Sequence, residues 1–176
     1  MRVPDRIRVP DRIRWAVDLL DPGPDDRLLE AGCGPGVAAA LVCTRLRTGQ
    51  LLAVDRSATA IRRTVHRNAA HVAAGRLVAE QVALDHLDVA AGTFDAAFAI
   101  DVNVFWAHPD GPDLAALVAA VRPGGRVLVL FGAGGPTEAG RVIEPITAAP
   151  DRRGSTDVRI HPGRGGWAAA RWPRPR

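Results

Sequence analysis

The 176 residues predict an α/β fold in three αβα layers: a doubly wound, mostly parallel sheet with an antiparallel C-terminal hairpin strand. Three features carry that expectation. Short apolar runs alternate with helical stretches of 10–15 residues, which is the spacing of parallel strands joined by crossover helices. The first run leads straight into a glycine-rich turn that opens a helix. Near the C-terminus, two further extended stretches flank a second glycine-rich turn.

The elements follow in order. Pro10-Asp11 suits the first turn of a helix, where proline lacks only an N–H that would be unpaired anyway. Ile13, Val17 and Leu20 then recur at helical spacing until Asp21-Pro-Gly-Pro24 stops the helix. Arg27–Glu30 reads as the first strand and Val37–Leu46 as a helix ending before Gly49. Leu51–Asp55 reads as the second strand. Ser57 can cap a helix running to about Ala74, which Gly75 ends. Leu77–Leu84 forms the third strand, Phe94–Ile100 the fourth, Asp113–Arg122 a helix and Arg126–Phe131 the fifth strand. Thr137–Ala149 reads as a helix kinked at Pro145. Asp157–His161 and Trp167–Trp172 form the closing hairpin.

Length and composition suit one domain of a soluble protein, with 47% apolar and 24% charged residues. Residues 1–20 read as an N-terminal helical segment and 21–176 as the single domain. Arg2–Arg8 recurs as Arg8–Arg14, a two-copy repeat too short for a solenoid. No apolar run approaches the roughly 18–20 residues of a membrane span. The N-terminus also lacks the apolar core of a secretory signal, so a cytoplasmic protein with no membrane partner is expected. Cys33 and Cys43 lie ten positions apart with no Cys-x-x-Cys pattern, so neither a disulfide nor a metal site is expected.

All 23 basic residues are arginine, and the charge is concentrated at the ends. Residues 21–150 carry 11 arginines against 14 acids, while residues 151–176 carry seven against two. Basic tails on a near-neutral domain argue against nucleic acid as the partner.

The segment richest in chemistry is Leu28-Leu-Glu-Ala-Gly-Cys-Gly-Pro-Gly-Val37. Glycines there let the backbone approach a ligand where a Cβ would clash, and the following helix presents free N–H groups. The dinucleotide fingerprint Gly-x-Gly-x-x-Gly requires glycine where Val37 stands. The spacing is instead Glu-x-Gly-x-Gly-x-Gly. Asp55 closes the second strand, where a carboxylate can accept hydrogen bonds from both ribose hydroxyls and would repel a 2′-phosphate.

Glu30–Gly36, Ala53-Val-Asp55-Arg56-Ser57, Phe94-Asp95 and Arg122-Pro-Gly-Gly-Arg-Val127 together resemble the class I methyltransferases dependent on S-adenosylmethionine (SAM), which have a Rossmann-like fold. The resemblance runs from about residue 13 to 131, and the final hairpin fits the family's sixth and seventh strands. It implies that Glu30 faces the methionine end of SAM and that Gly32, Cys33, Gly34 and Gly36 form a backbone cradle. Asp55 would take the ribose, and Arg56 would lie against the adenine. Relatives often carry an acid after the third strand, where Ala83 stands here, so adenine recognition falls to Leu84 or Asp85.

The stretch Ile100–Pro109 follows the fourth strand and should line the transfer site. Asp101 would contact the methionine amino group or the substrate. Asn103, Phe105 and Trp106, with Trp15 from the first helix, are candidates for the substrate wall; the two aromatics Phe105 and Trp106 read equally well as core. Methyl transfer needs mainly positioning, with a general base only if the acceptor loses a proton. His108, Asp101 and, more weakly, His86 are the candidates. The Asn/Asp-Pro-Pro-aromatic motif of amino methylases is absent after the fourth strand, as is a Pro-Cys nucleophile. A small-molecule acceptor presenting O, N or C is therefore expected. A dinucleotide oxidoreductase using NAD and a non-catalytic SAM-binding module are the competing readings, and a homodimer closing the site stays open.

Overall fold

A computed structural model describes residues 9–108, 111–132, 159–162 and 168–173. The elements are α1 (Asp11–Leu20), β1 (Arg27–Ala31), α2 (Val37–Cys43), β2 (Gln50–Asp55), α3 (Ala58–Arg67), α4 (Ala69–Ala73), β3 (Leu77–Gln81), β4 (Phe94–Ile100), α5 (Val104–Ala107), α6 (Pro112–Ala120), β5 (Val121–Phe131), β6 (Arg159–Pro162) and β7 (Ala168–Pro173). One sheet has the order β3-β2-β1-β4-β5-β7-β6. β1 to β5 are mutually parallel, whereas β7 runs antiparallel to β5 and β6 antiparallel to β7.

Alternation along the strands builds the layers, because successive side chains leave opposite faces. Leu28, Ala96, Phe98, Leu128 and Leu130 pack with Ile13, Val17 and Leu20 of α1 and Ala39 and Val42 of α2. Leu29, Ala97, Ala99, Val127 and Val129 pack on the other face with Phe105 of α5 and Leu114 and Leu117 of α6. Such near-continuous apolar strands are what a sheet covered on both faces requires.

Several boundaries differ from expectation, each for a local reason. The helix expected from Ser57 to Ala74 breaks at Asn68, which separates α3 from α4. There the Asn68 amide donates to both Gly36 O and Thr64 O. The third strand ends at Gln81, and a 3-10 turn occupies Leu84–His86. β5 begins at Val121 rather than Arg126, because Val121 already pairs with Phe94 across a register shift. The short helix α5 was not anticipated, and the helix expected at 137–149 lies outside the described residues.

β1 and β4 are adjacent in the sheet although far apart in sequence, so the chain reverses its winding there. Ligands of open α/β sheets bind at that switch point, outside the carboxyl ends of the strands.

Candidate functional site

A cavity of about 1010 Å³ opens at the carboxyl ends of β1, β2 and β4. The loop between β1 and α2 forms its floor. Gly32 and Cys33 donate their N–H groups to Val54 O at 2.8 and 3.1 Å, which ties the loop to the end of β2. Gly34 has φ +53°, and a Cβ built on it would meet nothing within 4 Å, so its Cα faces open space.

Gly36 is different. Its φ is +72°, and a Cβ would fall 2.7 Å from Asn68 Nδ2 and 2.8 Å from Thr64 Oγ1. Its glycine is required by packing against α3, and Gly36 is not part of the cavity lining.

α3 braces the loop from behind. Thr64 Oγ1 donates to Gly34 O (3.0 Å), Arg67 Nε to Pro35 O (2.7 Å) and Asn68 Nδ2 to Gly36 O (3.0 Å). Three successive carbonyls are therefore held toward the protein. Thr64, Arg67 and Asn68 escaped the sequence reading. The signal was Thr64 and Asn68, two polar residues at i, i+4 on the helix's buried side.

Asp55 joins the loop to the next strand. Its Oδ2 accepts from Gly34 N at 3.0 Å and its Oδ1 from Ser57 N at 2.8 Å. A carboxylate offers about four lone-pair directions, so two remain for a ligand. Arg56, Leu84 and Asp85 line the same end of the cavity with Ala83, and His86 pairs with Asp85 at 2.8 Å.

Glu30 lies on β1, lines the cavity and is only 3% exposed. Its Oε2 is buried without a hydrogen-bond partner among the described residues. Burial first, and the nearby Asp55 charge second, push its carboxyl up to about 8. The Cys33 and Cys43 thiols are likewise driven up to about 12, mainly by burial, and both cysteines are free. Neither is a reactive thiolate at neutral pH.

Asp101 occupies a left-handed backbone conformation at φ +56°. Its Oδ2 accepts from Arg12 Nε (2.8 Å) and its Oδ1 from Gly132 N (2.7 Å). The carboxylate thereby clasps α1 to the ends of β4 and β5. Arg12, with Pro10 and Ile13, brings α1 into the cavity wall, a contribution the sequence did not reveal.

Of the predicted site residues, the cavity gathers Glu30, Gly32, Cys33, Gly34, Asp55, Arg56, Leu84, Asp101, Asn103, Phe105 and His108. It does not include Trp15, Trp106 or Gly36. Trp15 packs against the core beneath α1 and α2, where an amphipathic helix places its large apolar residues. Trp106 meets Phe131 edge-on, with ring centroids 4.1 Å apart, and so joins the opposite core.

The sequence profile of a family described as a methyltransferase domain matches residues 28–125, more than half of the chain. The chain belongs to that family. The resemblance to class I SAM-dependent methyltransferases is borne out by this match. No curated protein matches the sequence. Among solved structures, the fold is similar to a SAM-dependent O-methyltransferase from Thermotoga maritima, at 11% identity and a TM-score of 0.77, covering 98% of this chain and 68% of that one. It is also similar to a geranyl diphosphate methyltransferase in complex with SAM, at 16% identity and 0.71, covering 93% and 84%. A [4+2]-cyclase shares the fold at 16% identity and 0.72, covering 93% and 79%. At these identities the likeness concerns the fold alone.

The residues of this methyltransferase-family chain fit a SAM-sized cationic nucleoside. The cavity lining holds an orphaned buried carboxyl oxygen on Glu30, the Asp55 carboxylate with lone pairs to spare, and Gly34, whose Cα faces open space. No described helix is long and apolar enough to cross a membrane.

Proposed function

We propose that the protein transfers a methyl group from SAM to an O, N or C atom of a small-molecule acceptor. The observation that supports this best is the pairing of Glu30 and Asp55 across the Gly32–Gly36 loop in one cavity. SAM supplies a methyl group on a positively charged sulfonium, which is a good leaving group. Glu30 holds the amino end, the backbone of Gly32, Cys33 and Gly34 approaches the ligand closely, and Asp55 holds the ribose. Arg56 and Leu84 flank the adenine.

The protein's part in the reaction is chiefly to position the acceptor in line with the transferring group. Asn103 and Phe105 contribute to that wall. Asp101 is bonded to Arg12 Nε and Gly132 N and so positions α1 at the cavity wall. His108, at the C-terminal end of α5, is the base where the acceptor must be deprotonated.

Two variants test the cofactor assignment. Asp55→Ala is expected to weaken SAM binding by about 1–3 kcal/mol through lost ribose hydrogen bonds. Calorimetric titration measures this, and unchanged affinity would show that Asp55 does not hold the ribose. Gly34→Val fills the open space at that position and is expected to abolish binding. A SAM-induced thermal shift retained in that variant would refute the loop's role. Transfer itself is read as S-adenosylhomocysteine formed across an acceptor panel by mass spectrometry. Tight SAM binding with no product on any acceptor would favour a binding module instead.

A further inference from the structure

Glu30 stands in the middle of the sheet, beside Ala53 of β2 and Phe98 of β4. It is nearly inaccessible from outside, yet it lines the cavity, and its Oε2 has no partner among the described residues. Among the described residues no cation forms an ion pair with it, although Arg56 lines the same cavity. From β2 comes Asp55, of the same charge. The loop offers Cys33 and α2 offers Cys43, both thiols that stay protonated. α3 reaches the loop through the neutral Thr64 and Asn68 and through Arg67, whose guanidinium is bonded to Pro35 O. The one cation that α1 brings to the cavity, Arg12, is bonded to Asp101. Burying an ionised carboxylate without a cation or sufficient donors is strongly disfavoured. Burial and the Asp55 charge accordingly place the group's titration at about 8.

We propose that Glu30 is a neutral acid in the free protein and surrenders its proton to solvent when a ligand ammonium settles beside it, so that it selects the cationic amino end of the cofactor. The O–H bond of the carboxyl breaks and the buffer takes the proton. The ligand's ammonium keeps its three hydrogens and donates to the carboxylate left behind. The inference rests on the SAM reading, which places an amino group at this end of the cavity.

The test is calorimetric titration of the full chain with S-adenosylhomocysteine in two buffers of different ionisation enthalpy. At pH 7 the wild type is expected to release close to one proton per ligand bound. Its affinity should rise by nearly tenfold per pH unit from about pH 5.5 to 7, then flatten above about 8. Glu30→Gln, isosteric with the neutral acid, should release no proton and bind with no such slope. An analogue of S-adenosylhomocysteine lacking the α-amino group should release none from the wild type, a result independent of how the variant folds. Binding of S-adenosylhomocysteine to the wild type without proton release would overturn the proposal and leave the cofactor reading intact. No binding at any pH would overturn both.

Discussion

The free protein is expected to lose up to about 5 kcal/mol of stability as the pH rises from about 4.5 to about 8, and Glu30→Gln is expected to remove that loss. Below about 4.5 the carboxyl is protonated whether the chain is folded or not. Above that, the unfolded chain ionises freely while the folded one keeps its proton. Each pH unit then costs about 1.4 kcal/mol until the folded group itself titrates near 8. The thiols of Cys33 and Cys43 act in the same direction but at higher pH, between their ordinary value near 9 and about 12. His71, whose titration is lowered by burial and by Arg76, and Asp113, raised by burial and by Asp85, also bear on the wild-type profile. Both are common to the variant, so the difference between the two denaturant-unfolding curves isolates Glu30. Parallel curves for the two proteins from pH 5 to 8 would contradict the buried, uncompensated carboxyl.

Gly36→Ala is expected to cost the fold about 2–5 kcal/mol, whereas Gly34→Ala costs only about 1–2. Both glycines are left-handed, so each substitution incurs backbone strain. Only at Gly36 does the new methyl also strike the protein, lying 2.9 Å from the backbone Cα of Thr64 and closer still to two side-chain atoms. Relief would require Thr64 and Asn68 to move, and these same side chains hold the carbonyls of Gly34 and Gly36. The Gly36 change should thus loosen the loop as well as the core. Chemical denaturation of the two variants makes the comparison. Equal losses at both positions would show that α3 does not press against the loop.

The contrast between these glycines marks what the sequence could and could not convey. Glu-x-Gly-x-Gly-x-Gly and the acid at Asp55 are local patterns, legible because strand, turn and helix follow one another directly. The assignment of all three glycines to a ligand cradle was only partly matched by the packing. Gly36 serves α3, which arrives some thirty residues later in the chain. The clasp of Asp101 has the same origin. Its partners Arg12 and Gly132 lie 89 and 31 residues away and meet it only once the sheet is assembled. Trp15 and Trp106 show the other difficulty. An aromatic on an amphipathic helix has the same pattern whether it faces a cavity or the core, and the Phe131 that claims Trp106 belongs to a distant strand. The burial of Glu30 was likewise invisible in a motif that specifies an acid but not its surroundings.

The most direct test of the central reading is a thermal-shift titration of the full chain with SAM, S-adenosylhomocysteine and NAD in parallel. A ligand that binds only the folded state raises the unfolding temperature progressively with its concentration. SAM and S-adenosylhomocysteine are expected to do so, and NAD is expected to leave the transition unmoved because Val37 stands where the dinucleotide fingerprint requires glycine. Stabilisation by NAD alone would contradict the account.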